Sequence, residues 1–78
     1  MTYVYILRSV SGDHYYVGMT EDLKNRLSRH NAGDVPHTAK YRPWVVKTYV
    51  ALSDTERAVN FERYLKTASG RAFAKKHL

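Results

Sequence analysis

No cysteine occurs among the 78 residues, so neither a disulfide framework nor a thiolate metal site can hold this chain together. At a length near the lower limit for stability by burial alone, apolar packing must carry the fold. Proline and glycine number only two and four, and there is no internal repeat, low-complexity segment or linker. No apolar run approaches the roughly 20 residues needed to span a bilayer, and Met1-Thr2-Tyr3-Val4 lacks the basic region and apolar core of a signal peptide. These absences predict a soluble, cytoplasmic single domain over residues 1–78. His14, His30, His37 and His77 show no paired spacing for zinc. Acidic residues are also few, seven against 13 Lys and Arg, for a net charge of +6. That balance suits a polyanionic partner, and equally a generic basic surface.

What is present is aromatic and β-branched: seven tyrosines and one tryptophan within a 44% apolar content. Tyr3 to Val10 reads as a strand, with Val4 and Ile6 on one face and Tyr3, Tyr5 and Leu7 on the other. Apolar groups on both faces predict a central strand. Ser11-Gly12-Asp13 supplies turn chemistry, and Tyr15-Tyr16-Val17 begins the second strand of a hairpin. Across an even-length loop Tyr5 and Tyr16 share a face, and a two-residue turn at Ser11-Gly12 would set them about one pair apart. Gly18 and Thr20 end that strand. Thr20 is expected to cap a helix with Glu21 and Asp22 in its first turn, Leu23 and Leu27 inward and Gly33 as its stop. Asp34 to Pro43 reads as a polar loop and Trp44 to Leu52 as a third strand. Ser53-Asp54-Thr55-Glu56 matches a capping box, opening a helix through Lys66 with Ala58, Phe61, Leu65 and Ala68 inward. Ser69-Gly70 is expected to break it, leaving Arg71 to Leu78 as a short basic helix. This order predicts an α+β fold, β-β-α-β-α-α, with a small three-stranded antiparallel sheet flanked by helices.

Three polar side chains lie beside the apolar stripes. At about 100° per residue, Arg26 and His30 flank Leu23 and Leu27, while Lys24, Asn25 and Arg29 fall outside. A guanidinium and an imidazole one turn apart could grip a phosphate, or simply border an amphipathic helix. Glu62 borders the Ala58-Leu65 stripe, where a carboxylate needs a cation, a metal or donors. A salt bridge with Arg26 or Lys66 would satisfy it. So would Mg²⁺ or Mn²⁺ completed by water and phosphate oxygens.

Together these residues resemble the GIY-YIG nuclease superfamily. Tyr3-Val4-Tyr5 matches its first motif and Tyr16-Val17-Gly18 its second, with Val17 in place of isoleucine. Arg26 and His30 match the helix motif, and Glu62 within Phe61-Glu62-Arg63-Tyr64-Leu65-Lys66 matches the metal-binding glutamate. The chain is similar, over nearly its whole length, to short stand-alone bacterial members related to the amino-terminal nuclease domain of an excision-repair endonuclease. Tyr3 stands where the first motif begins with glycine, which leaves the Tyr5 hydroxyl in place. Many family nucleases carry an asparagine beyond the glutamate. None follows Glu62 here, and Lys66 or Lys75 could replace that contact.

The resemblance implies a metal-dependent DNA endonuclease with Tyr5, Tyr16, Arg26, His30 and Glu62 as catalytic residues. Glu62 would hold one Mg²⁺ or Mn²⁺, and Arg26 would stabilise charge on the phosphate. Either Tyr5 or His30 would be the base for the attacking water. A free phenol is ionised in only about one part in 1000 at pH 7, a deficit of roughly 4 kcal/mol. Structured or damaged DNA is the expected substrate, in repair or recombination, with a larger repair complex as a further partner and no membrane. Phosphate contacts are expected from Lys24, Lys40, Arg42, Arg71, Lys75 and Lys76, with Tyr41 stacking on a base. Two other readings share the scaffold: a non-catalytic nucleic-acid-binding module, and a protein-interaction domain of a repair complex with exposed tyrosines as contacts.

Overall fold

Apolar groups on both faces of the first strand require cover from two directions, and the computed structural model, which describes Met1 to Leu78, supplies it. Strand β1 (Thr2–Ser9) lies at the centre of a three-stranded antiparallel sheet, between β2 (Tyr15–Thr20) and β3 (Trp44–Leu52). Helices α1 (Leu23–Ala32) and α2 (Pro36–Ala39) follow β2, and α3 (Thr55–Leu65) and α4 (Ala68–His77) follow β3. The fold is α+β as expected. No helix is long and apolar enough to cross a membrane.

The alternation along β1 divides the core in two. Val4 and Ile6 pack with Ala58 and Leu65 of α3, flanked by Val17, Met19, Phe61 and Ala74. On the opposite face Tyr5 and Leu7 pack with Trp44, flanked by Tyr16, Leu23, Leu27 and Tyr41. Each fully buried apolar side chain contributes roughly 1.5–3 kcal/mol. The hairpin has the expected even register: Tyr5 lies opposite Gly18 and Leu7 opposite Tyr16, which sets the two tyrosines one same-face pair apart. The turn itself differs from the expected Ser11-Gly12 pair: Ser9 donates to the His14 carbonyl at 2.9 Å across a four-residue loop, and Gly12 donates to the Ser9 carbonyl at 2.8 Å, which centres the turn on Val10-Ser11 while keeping the same even register.

Four local expectations are corrected. Asp22, not Thr20, caps α1: its carboxylate accepts the Asn25 N–H at 3.0 Å, while the Thr20 hydroxyl accepts the Asp22 N–H at 3.1 Å. A carboxylate is the stronger acceptor, so the helix starts later and its first turn holds no acid. Gly33 does stop α1, in the left-handed conformation with φ 84°. Asp54 rather than Ser53 caps α3, accepting from the N–H groups of Glu56 and Arg57 at 2.9 and 3.3 Å. The segment read as a loop holds the single turn α2, with Pro36 at its start, where a fixed φ and a missing N–H are harmless. Last, Ser69-Gly70 does not break a helix. The break falls at Lys66-Thr67, and Thr67 caps α4 by accepting the Gly70 N–H at 3.1 Å. Ala68 therefore belongs to α4. Gly70 is buried because a Cβ there would collide with the Tyr64 carbonyl and the Leu65 backbone. It lets the first turn of α4 cross close to the end of α3.

Candidate active site

Tyr5 is fully buried at the middle of β1, with its ring laid across β2. Gly18 makes that possible: a Cβ at this position would overlap the Tyr5 hydroxyl and come within 2.9 Å of the Tyr16 ring. The glycine of the second motif is thus the space that the tyrosine of the first one fills. The Tyr5 and Tyr16 rings lie 6.3 Å apart, and Tyr16 stands 5.0 Å from the His30 imidazole.

Helix α1 delivers His30 onto these rings. Its imidazole is fully buried, and its Nε2 lies 2.9 Å from the Tyr5 hydroxyl. On its far side Nδ1 lies 2.7 Å from the Thr38 hydroxyl. Thr38, itself buried, donates to the Val35 carbonyl at 3.3 Å, so its oxygen is free to accept the Nδ1 proton. Nε2 is then the acceptor, and Tyr5 donates its proton to it. Trp44 holds this arrangement from below: its indole N–H donates to the Thr38 carbonyl at 2.8 Å. Its backbone N–H donates to the Asn31 side chain at 2.6 Å, whose amide returns a bond to the Trp44 carbonyl at 3.0 Å. No buried side-chain polar atom lacks a partner.

Burial pushes the Tyr5 hydroxyl up to about 12; neighbouring Tyr16 and the Glu62 charge push the same way, and the Arg26 guanidinium beside it opposes them. Burial also lowers His30 below the usual imidazole range, aided by the Arg26 and Arg29 charges. Near neutral pH the pair is therefore a phenol donating to a neutral imidazole. Arg26, one turn before His30 and half-buried, supplies the positive charge beside the Tyr5 hydroxyl.

Glu62 arrives differently. Helix α3 covers the Val4-Ile6 face, yet the half-buried Glu62 still acts electrostatically on the Tyr5 hydroxyl on the opposite face. Its Oε2 accepts from Lys66 Nζ at 3.1 Å, so its ion pair is with Lys66 rather than Arg26. No group of three or more His, Asp or Glu side chains converges that could cage a metal ion. One carboxylate oxygen face suits a largely hydrated Mg²⁺-type ion that shares phosphate oxygens, and the residues fit that mode.

The predicted nucleic-acid contacts fall into two groups. Lys24, Lys40, Arg71, Lys75 and Lys76 are exposed. Tyr41 stacks on His14 with centroids 3.7 Å apart, and Lys40 Nζ lies 5.8 Å over its ring. Arg42 donates from Nε to the Ala39 carbonyl at 2.8 Å and packs its head against Gly33. Tyr41 and Arg42 are thus engaged in anchoring the α2 segment. Thr38 was missed by sequence reasoning. Nothing in its spacing marks it; the one available signal was that a buried His30 would need a partner for its second nitrogen.

The sequence model of the GIY-YIG catalytic domain matches residues 1–76. The chain belongs to the GIY-YIG family. This GIY-YIG domain is 39% identical over 56 residues to a UPF0213 protein of Streptococcus pyogenes serotype M3, covering 72% of this chain and 60% of the relative. A UPF0213 protein of serotype M1 matches equally. The chain thus spans about 60% of the length of these curated relatives. The solution NMR structure of the UPF0213 protein BH0048 from Bacillus halodurans superposes with a TM-score of 0.57 at 30% identity, over 96% of this GIY-YIG chain and 81% of that one.

Proposed function

We propose that this GIY-YIG domain is a divalent-metal-assisted endonuclease that hydrolyses phosphodiester bonds in DNA, with structured or damaged DNA in repair or recombination as its context. The observation that carries the reading is the proton path from the Tyr5 hydroxyl to His30 Nε2, with Nδ1 held by Thr38. Ionising a phenol with a pKa of about 12 at pH 7 would cost roughly 7 kcal/mol, so a free Tyr5 phenolate is not the base. Instead the attacking water gives its proton to Tyr5 Oη as Tyr5 gives its own to His30 Nε2. His30 is ready for this because it is neutral. Arg26 stabilises charge on the non-bridging oxygens, and Tyr16 orients the water or the phosphate. Glu62 would hold one Mg²⁺ or Mn²⁺, which when bound supplies positive charge at the phosphate and leaving oxygen.

The test is metal-dependent cleavage of a panel of labelled branched, flapped, damaged and plain duplex DNAs, with Glu62→Ala prepared in parallel to expose contaminating nucleases. Cleavage by wild type alone supports the reading; equal cleavage by both defeats it. A second reading, a non-catalytic nucleic-acid-binding module, is favoured by one observation: Lys66 already neutralises Glu62. It requires DNA binding that is indifferent to divalent metal and no cleavage.

A further inference from the structure

The proposed site lies on the tyrosine face, but a cluster of four cations lies on the other side of the sheet, between the hairpin and α4. A groove of about 950 Å³ runs between the hairpin and α4. Lys47, Lys66, Arg71 and Lys75 line it, against a single carboxylate, Asp13. Its apolar wall comes from Ile6, Leu65 and Ala74. Tyr15 stands at its side with 58% of its surface exposed, in a protein whose other tyrosine near the loop, Tyr41, is already stacked.

We propose that this groove binds a single strand of DNA and leads it to the site; the inference rests on the nuclease reading above. Charge selects a polyanion. The remaining features select an unpaired one, because a duplex hides its base faces whereas a single strand can lay them on an exposed aromatic ring and an apolar wall. Continuity with the site is the second argument. Tyr16 lines the groove while its ring faces His30, and Lys66 lines it while holding Glu62. A strand seated on Arg71 and Lys75 therefore lies beside Tyr16 on β2 and Lys66 at the end of α3, the two groove residues that border the proposed chemistry. A phosphate at Lys66 would also draw the ammonium away from Glu62 and free the carboxylate for a cation. The groove thus explains how the Lys66–Glu62 pair is compatible with metal binding.

The experiment uses the full chain without divalent metal and fluorescence anisotropy of a labelled 12-nucleotide dT strand and a duplex of the same length across a salt series. Wild type is expected to prefer the single strand, with a slope of log K against log salt of about −2 to −3, near −0.7 per phosphate neutralised. Arg71→Ala/Lys75→Ala should flatten the slope by about 1.4. The charge-matched double variant Arg57→Ala/Arg63→Ala, which removes cations outside the groove, should leave it unchanged. Tyr15→Ala should weaken binding roughly 10-fold at constant slope, as loss of one stacked base does. Circular dichroism melts confirm that each variant is folded. A duplex preference, or an Arg71→Ala/Lys75→Ala slope equal to wild type, overturns the groove. The two readings fail separately: cleavage with groove-independent binding removes the groove alone, whereas groove-dependent binding without cleavage removes the nuclease and leaves the groove.

Discussion

The two faces of β1 are built by different rules. On one, Val4 and Ile6 meet Ala58 and Leu65 through apolar contact alone. On the other, Tyr5 and His30 are equally buried, but each is fixed by a hydrogen bond, and the bonds run on through Thr38 to the backbone of α2. The apolar face tolerates approximate fit, since contact energy is non-directional. The tyrosine face does not: each imidazole nitrogen there has a single partner, and a lost partner strands a buried group at a cost of about 1–3 kcal/mol. Stability is distributed on the first face and geometry is specified on the second.

That contrast can be broken most decisively at the rim between the faces. Glu62→Ala should abolish cleavage and Mn²⁺ binding while leaving the melting temperature near wild type, because its only ion pair is the partly exposed one with Lys66. Isothermal titration showing unchanged Mn²⁺ binding would remove Glu62 as the ligand. Next in size, Leu65→Ala on the apolar face should cost about 2–5 kcal/mol in chemical denaturation and, through the groove wall, weaken DNA binding, with the single-turnover rate of the remaining folded protein at saturating DNA unchanged. A matching collapse in that rate would mean the faces are not separable.

Tyr5→Phe should lower the single-turnover rate about 100-fold and, by leaving His30 Nε2 unpaired, also cost about 1–3 kcal/mol. Tyr16→Phe should lower the rate similarly without destabilising the protein. Rates within threefold of wild type for both would reduce the tyrosines to packing. Thr38→Val should be milder, about 10-fold in rate, with rescue by Thr38→Ser; identical pH profiles for wild type and Thr38→Val would show that Thr38 does not position the imidazole. The smallest effect concerns pH. Burial lowers the folded-state pKa of His30 below its unfolded value. Unfolded chains therefore bind the extra proton first, so stability should be intact above about pH 6.5 and fall as pH drops through that window. His30→Gln should flatten this dependence in urea titrations at pH 5 and 7, and a slope unchanged by the substitution would place the sensitivity elsewhere.

The hairpin and its shared tyrosine face were legible because alternation and turn length are local rules, and Tyr5, Tyr16 and their register obey them. The caps were legible only to within a residue or two: Thr20 and Asp22, or Ser53 and Asp54, compete as acceptors near one helix start, and in both cases the carboxylate takes the cap. Gly70 misled because glycine breaks helices in isolation, whereas here it permits a crossing that only the packed structure requires. Thr38 was invisible for a deeper reason. Its role exists only once α1, α2 and β3 meet, and no periodicity relates residues 30, 38 and 44. The groove was half legible: Arg71 and Lys75, one turn apart on one helix, were expected as phosphate contacts, whereas Lys47 and Lys66 come from other elements and share no pattern with them.

The place of Trp44 has a consequence for the order in which the molecule acquires its chemistry. One residue on the last strand fastens Asn31 on α1 and Thr38 on α2. A ribosome-bound chain that has released only residues 1–40 already carries both tyrosines, Arg26, His30 and Thr38, yet lacks Trp44, which fastens the segments that bring Thr38 to the imidazole. In the proposed scheme the growing polypeptide stays chemically silent beyond the docking of the third strand, until α3 brings Glu62 to the rim of the site.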